Sequence, residues 1–393
     1  MNRFYEEAER LSDEIIANRR YLHQHAELGF DLPETRAFVL EKLRSYGYDP
    51  VEIEGGITCL AGKGGHTIML RADMDALPQK EISGVDYACT TGKACHSCGH
   101  DCHTAMMLAA AKMLKQIEDE LPGTVKILFQ PGEETLLGSQ KMIDAGVLES
   151  PKVEAAMAVH MNFGPCGDHD LSAGHLMIPG SMSSADEFHI HIRGRGAHGS
   201  MPHKGTSPIN VAADIINEVY KIPSLKVPCS DPTVIGFGAV HSGEAANIIP
   251  DTAEIKGNIR SFSRENRANL RQYLTEVVER TAEVWGAKAE IEFPFGVEPM
   301  VNDPELTAEM KEYCSEIALG IADVPLVYAS EDFANYGAEG IPLFFANVCA
   351  GGPEQGYNYI MHNPAMTLDE EALKYGTAFL VNCAYNWLVK RAE

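Results

Sequence analysis

The chain has 393 residues, 45% of them hydrophobic, and a formal net charge of −24. That length is too great for one ordinary core and predicts two domains. The charge argues against nucleic acid or an anionic membrane surface as a partner, because both require positive charge. No apolar run reaches the roughly 18 residues that a membrane-spanning helix needs. The segment MNRFYEEAERLSDEII reads as an acidic amphipathic helix without a signal-peptide core. The ten cysteines are scattered over a long chain, which reads as reduced thiols in a cytoplasmic protein.

Taken in chain order, the periodicity predicts two helices between about Asn2 and Tyr46. Short apolar strands then alternate with helices. His66–Ala72, Thr124–Gln130 and Glu154–Asn162 read as strands and Ala105–Lys115 as a buried helix. This alternation predicts an α/β domain with a mostly parallel sheet. The pattern changes near Ser181. EFHIHIRG (Glu187–Gly194) alternates with period two, then come a helix over about Ser207–Tyr220 and the strand-like runs TVIGFGAVH and TAEIKGNIRSF. A long helix over about Arg264–Trp285 and the strand AEIEF complete the set. That β-α-β-β-α-β order is ferredoxin-like. It predicts an inserted α+β lid domain at 182–294 within a catalytic domain formed by 1–181 and 295–393, with a helix around Glu305–Ile317 after the return.

The densest chemistry lies in CHSCGHDCHTAMM (Cys95–Met107), where Cys95–His103 holds three thiols, three imidazoles and a carboxylate. Gly99 allows a tight turn. Cys98 and His100 are two residues apart, so in an extended segment their side chains face the same way and suit a shared metal. Cys95 and Cys102 read as small buried or idle thiols. RADMDALP (Arg71–Pro78) places Asp73 and Asp75 past a strand end, where α/β proteins collect ligand and catalytic groups; either could equally be a loop-capping Asp. FQPGEE (Phe129–Glu134) repeats the arrangement. Adjacent acids there are costly unless a cation neutralises them. One of Glu133 and Glu134 can then bind metal while the other serves as a general base. His160 closes a third strand, and MHNP (Met361–Pro364) puts His362 in a turn. In the inserted region His198 and His203 stand in a Gly-rich turn, while Asn247 and Arg260 lie in ANIIPD and GNIRSF. Arg260 could hold a substrate carboxylate through its planar fork or could be a surface ion pair.

Taken together, these segments resemble the binuclear metallo-aminoacylase and carboxypeptidase family. The closest likeness is to its amidohydrolase branch, which includes hippurate hydrolases and indole-acetyl-amino-acid hydrolases. The matching stretches are RRYLHQHAELGF, RADMDALP, CHSCGHDCHTAMM, FQPGEE, AVHMN, GRGAHGSMPHKGTSPI, ANIIPD, GNIRSF, SEDFA and MHNP, in that order from residue 19 to 364. The resemblance implies two divalent metals held by Cys98, His100, Glu134, His160 and His362. It implies Glu133 as general base and Asp75 as a carboxylate that orients a ligand. It also implies that His198 reaches the scissile carbonyl from the lid, often across a dimer interface, and that Asn247 and Arg260 bind substrate. Two thiols, Cys95 and Cys102, stand where this branch usually has other residues, and Ala26 stands where a Pro is common.

The expected protein is therefore a cytoplasmic metal-dependent amidohydrolase, a homodimer or higher homo-oligomer. It would cleave an N-acyl-L-amino acid to an acid and a free amino acid by attack of a metal-bridging hydroxide. The Cys98 thiolate favours zinc, nickel or cobalt over magnesium, and the N and O donors keep manganese open. A dipeptidase or carboxypeptidase of the same family is the nearer alternative. A redox or metal-sensor protein built on Cys95, Cys98 and Cys102 is the more distant one, and it leaves Glu133, His160 and His362 unexplained.

Overall fold

The computed structural model describes residues 2–165 and 169–392, which form two compact units. The first comprises Met1–Gly180, Asn302–Pro325 and Asn335–Glu393. Its sheet runs Val51–Ile53, Gly56–Gly62, Thr124–Gln130, Thr67–Asp73, Ala155–Asn162, Leu343–Cys349 and then His175–Met182. The central pairings are parallel: Thr67–Asp73 lies between Thr124–Gln130 and Ala155–Asn162, and Leu343–Cys349 adds to the latter. Gly56–Gly62 and His175–Met182 join antiparallel. Every residue of the three innermost strands is buried, as expected where layers cover both faces of a parallel sheet. The helix His100–Gln116 is buried along almost its whole length and shares the core with the C-terminal helix Ala372–Ala392.

Three helices, not the expected two, occupy the N-terminal segment: Arg3–Arg10, Ser12–Gln24 and Pro33–Ser45. Leu11 forms the break between the first two with φ −88° and ψ 1°. Neither Gly nor Pro marks it, so periodicity alone ran through it. Pro33 opens the third helix at its first turn, where a missing N–H costs nothing.

The second unit comprises Ser181–Val301 and Leu326–Ala334. Its four antiparallel strands lie in the order Lys288–Val297, Ala185–Arg193, Thr252–Ser261, Thr233–His241. The helices Pro208–Val219 and Arg264–Val284 are each capped by a serine hydroxyl, Ser207 and Ser263, which accepts an otherwise unpaired N–H. Ala185–Arg193 alternates as expected: Phe188, Ile190 and Ile192 enter a core with Val211, Ile215, Leu270, Leu274 and Val278. Truncating one such residue, Leu274→Ala for example, would cost about 2–5 kcal/mol. No helix among the described residues is long and apolar enough to cross a membrane.

Candidate metal centre

The carboxyl ends of the parallel strands carry the chemistry. Asp73 and Gln130 are register partners at the ends of neighbouring strands, so the loops that follow, with Asp75 on one and Glu133 and Glu134 on the other, leave the sheet side by side. His160 sits near the end of the next strand, beside Asn347.

Cys98 and His100 converge by a turn, not by the extended segment read from the sequence. Gly99 has φ +93°, and His100 is the first residue of the helix His100–Gln116. A Cβ on Gly99 would meet Met161 Cβ at 3.2 Å, so both the dihedral and the space call for glycine. The His100 Nδ1–H donates to the Asp75 carbonyl at 2.8 Å. This fixes the tautomer and leaves Nε2 with its lone pair. His100 Nε2 is buried and has no hydrogen-bond partner.

Gly132, at φ +72°, makes the corresponding turn before the paired glutamates, and a Cβ there would meet the Phe30 ring at 2.5 Å. The backbone N–H groups of Glu133 and Glu134 donate to Asp75 Oδ1 and Oδ2 at 2.9 and 3.1 Å. Asp75 thus orients His100 through its carbonyl and the glutamate turn through its carboxylate. Glu134 Oε1 is buried without a hydrogen-bond partner and stands 3.9 Å from His100 Nε2. His160 donates Nδ1–H to the Met161 carbonyl at 2.7 Å, and its Nε2 lies 3.5 Å from Cys98 Sγ. His362 adopts φ +67°, a conformation that costs a non-glycine residue energy and is retained where surroundings enforce it. Its N–H donates to the Ser97 carbonyl at 2.8 Å and its carbonyl accepts from Gln79 at 3.0 Å. These bonds seat it beside the Cys98 loop, with Nε2 3.8 Å from Glu134 Oε2.

The donor atoms of Cys98, His100 and His160 all lie within 4.8 Å of one another, as do those of Cys98, Glu134 and His362 and those of His100, Glu133 and Glu134. Donors bonded to one ion at 2.0–2.3 Å stand about 3.3–4 Å apart, which matches the gap between the unpartnered His100 and Glu134 atoms. Electrostatics point the same way. Burial pushes the Cys98 thiol well up, against the pull of His100. Burial, with Asp75 and Asp73 adding to it against His100, raises Glu134 to about 7. Burial, then His103, drives His160 down, and burial with His100 lowers His362. Cys98 and Glu134 thus hold their protons for want of nearby positive charge, and His160 and His362 are held neutral. His100 runs the other way: against burial, Asp73 and Cys98 hold it well above its ordinary value. A divalent cation bound by these donors takes the place of those protons. A set of thiol, imidazole and carboxylate donors fits a divalent metal.

Cys95 and Cys102 are buried and belong to none of these groupings. A neighbouring network went unread in the sequence. Arg19 Nε and His23 Nδ1 meet Asp101 Oδ2 at 2.7 and 2.8 Å, and His23 Nε2 meets Glu81 Oε1 at 3.0 Å. Burial alone would raise the Asp101 carboxyl, but Arg19 and His23 outweigh it and hold it well below the usual range. This ties the helix Ser12–Gln24 to the residue after His100. Arg19 and His23, four residues apart in RRYLHQH on one helix, were the available signal.

In the second unit, His198 is exposed, bonds Ser200 Oγ through Nδ1 at 2.8 Å, and pairs with Ile248 in a short ladder. Asn247, also exposed, accepts the Gly199 N–H at its carbonyl at 2.8 Å, so these two residues share one turn region. Arg260 is half-buried and donates to Ser330 Oγ at 2.6 Å.

The sequence pattern of Peptidase family M20/M25/M40 matches residues 69–386. The chain is 34% identical over 378 residues to thermostable carboxypeptidase 2 of Saccharolobus solfataricus, covering 93% of each protein. It is 34% identical over 389 residues to the N-acetyl-L-cysteine deacetylase of Bacillus subtilis, covering 98% of this chain and 90% of that protein. Among solved structures it is similar to the Bacillus subtilis YXEP protein, a dinuclear metal binding peptidase from the M20 family. That match has a TM-score of 0.83 and 30% identity, and covers 97% and 99% of the two chains.

Proposed function

The chain belongs to peptidase family M20/M25/M40 and is a hydrolytic enzyme, and from that premise we propose that it hydrolyses N-acyl-L-amino acids at a centre of two divalent metals. The observation that carries this reading is the convergence of these donors, buried except for the half-buried Glu134 and the exposed His362, with His100 Nε2 and Glu134 Oε1 left unpartnered and 3.9 Å apart. Cys98, His100, Glu134, His160 and His362 would hold the metals. Zinc is our first assignment, with manganese, nickel and cobalt as the alternatives. When bound, such ions polarise the amide carbonyl and acidify water.

The chain's own groups supply the rest. Glu133 takes the proton of the attacking water and returns it to the leaving nitrogen. Asp75 holds its backbone, which fixes the turn that presents the side chain. We assign His198 to the developing oxyanion, and Asn247 and Arg260 to the substrate carboxylate. We place the enzyme in the cytoplasm as a homodimer, with the second unit as lid and dimerisation domain.

The deacetylase relative supports an N-acyl amino acid as substrate, and the carboxypeptidase relative supports a peptide substrate as the second reading. A screen separates them. Protein stripped by chelator and reloaded with each metal is offered N-acetyl, N-benzoyl and longer N-acyl amino acids alongside dipeptides and carboxypeptidase substrates. Higher kcat/KM on the N-acyl amino acids is expected. Preference for peptides under every metal would replace this reading by the second.

A further inference from the structure

His100 and His103 lie three residues apart on one helical face, and Asp73, His100 and His103 form a further group of donors within 4.8 Å of one another. By proximity alone His103 and Asp73 qualify as metal ligands. Their hydrogen bonds decide otherwise. His103 Nδ1 stands 2.6 Å from Asp73 Oδ1, and the Met161 backbone N–H donates to His103 Nε2 at 2.8 Å. A nitrogen that accepts from an N–H carries no proton, so Nδ1 is the protonated one and donates to Asp73. Both ring nitrogens are spent, and no lone pair is left for an ion. The other Asp73 oxygen accepts from Arg71 Nη1 at 2.5 Å, and the Asp73 carbonyl accepts from Thr104 Oγ1 at 2.8 Å.

The Met161 N–H has a reason to need this partner. The strand Ala155–Asn162 pairs with Thr67–Asp73 only from Ala155 to Ala158. Beyond that point the neighbouring strand offers Met161 no ladder partner, and a buried amide left unpaired is costly. His103 completes the ladder with a side chain. It thereby fixes the backbone immediately after His160, whose ring centroid lies 4.4 Å from its own.

We infer that Asp73 and His103 are positioning residues that set the place of His160 through the Met161 amide, and that neither is a metal ligand. This inference rests on the metal-centre reading above and makes a claim that reading does not contain.

The test uses full-length protein loaded with cobalt(II). His103→Asn puts an amide N–H where Nδ1–H was and keeps the bond to Asp73, but removes the acceptor for Met161. His103→Gln puts an oxygen where Nε2 was and keeps the acceptor. The Asn variant should bind cobalt about 10–100-fold more weakly, the usual cost of losing such a support, with a changed visible spectrum of the bound ion. The Gln variant should recover most of the affinity and the wild-type spectrum. A residue that merely stabilises the fold would lower Tm in both variants and leave the spectrum of bound cobalt unchanged; that result overturns the inference. Loss of metal in both variants as complete as in Cys98→Ala would overturn it in the other direction, by making His103 a ligand.

Nitrogen-15 spectra of histidine-labelled wild-type protein test the same point without a variant that has to fold. The His103 Nε2 resonance, assigned by its absence in either variant, should stay that of an unmetallated acceptor nitrogen on loading with zinc. A shift to a metal-bound value would overturn the inference. Failure of the wild-type protein to take up cobalt or zinc would instead sink the metal-centre reading, and it is seen in a separate sample.

Discussion

Asp75 accepts the backbone N–H of Glu133 on one carboxylate oxygen and that of Glu134 on the other. A side chain that aims two adjacent glutamates at once is sensitive to a single-atom change. Asp75→Asn replaces one accepting oxygen by a donor that faces an N–H. The expected result is a fall in kcat/KM of about 10–100-fold, as for loss of an outer support in a metal site, with the fold retained by circular dichroism. Wild-type kcat/KM in Asp75→Asn would show that the alignment of this turn is unimportant.

The two glutamates should separate cleanly. Glu133→Gln removes the proton acceptor and keeps the shape, so metal content should hold while kcat falls by about 10²–10⁴. Glu134→Gln withdraws an anionic donor whose oxygen is otherwise unpartnered, so metal content should fall first. Metal analysis and steady-state kinetics on the same preparations decide it. An active Glu133→Gln enzyme would remove the proposed base.

The thiols give a parallel contrast. Cys98 Sγ falls in two of the close donor groupings, whereas Cys95 and Cys102 fall in none. Cys98→Ala should lower metal per chain, and Cys95→Ala and Cys102→Ala should not. Equal depletion in Cys95→Ala would mean that the loop binds its ion differently from the arrangement of its side chains.

What the sequence made legible follows from locality. The strands Thr124–Gln130 and Ala155–Asn162 appear as continuous apolar runs because both of their faces are covered. The Cys95–His103 cluster is visible because its donors are contiguous. His362 is not legible in that sense. Only its backbone bond to Ser97, across more than half of the chain, and its unusual φ bring it to Glu134. The role of His103 was hidden for a similar reason. Its partner is a backbone amide left over where two strands diverge, and no residue type records that divergence. The turn at Leu11 lacked Gly or Pro, so one helix too few was read there.

Arg260 is half-buried, and burial lowers its pKa against the opposing charge of Asp186. Within its unit one nitrogen is engaged by Ser330. If it grips the substrate carboxylate, Arg260→Ala should lower kcat/KM for an N-acyl amino acid by roughly 10–100-fold, the worth of a charged hydrogen bond. The loss on the matching carboxamide should be much smaller. Arg260→Lys should restore only part, because a point charge cannot reproduce the fork. Equal losses on acid and amide would assign Arg260 to the fold of its unit.

The last prediction concerns stability and pH. Glu309, on the helix Pro304–Ser315, meets Arg391 of the C-terminal helix in a two-pronged pair, with Nη1–Oε1 at 2.7 Å and Nη2–Oε2 at 3.1 Å, and accepts from Tyr313 Oη at 3.0 Å. Burial would raise this carboxyl, but the bonds from Arg391 and Tyr313 outweigh it and hold it below its ordinary value of 4.5. A depressed carboxylate means that the unfolded chain binds the proton more readily than the folded one, so stability rises with pH across the window between the two values. The contribution is present in full above the unfolded value and is lost as pH falls through 4.5 toward the folded one. Glu309→Gln removes the titrating group. It should cost about 1–3 kcal/mol at neutral pH and flatten the acid limb of the Tm profile, so that the two proteins converge at low pH. The measurement is Tm against pH for both proteins, with Arg391→Met as a second way to break the pair. Parallel profiles, with the same gap at every pH, would show that Glu309 contributes packing and not charge.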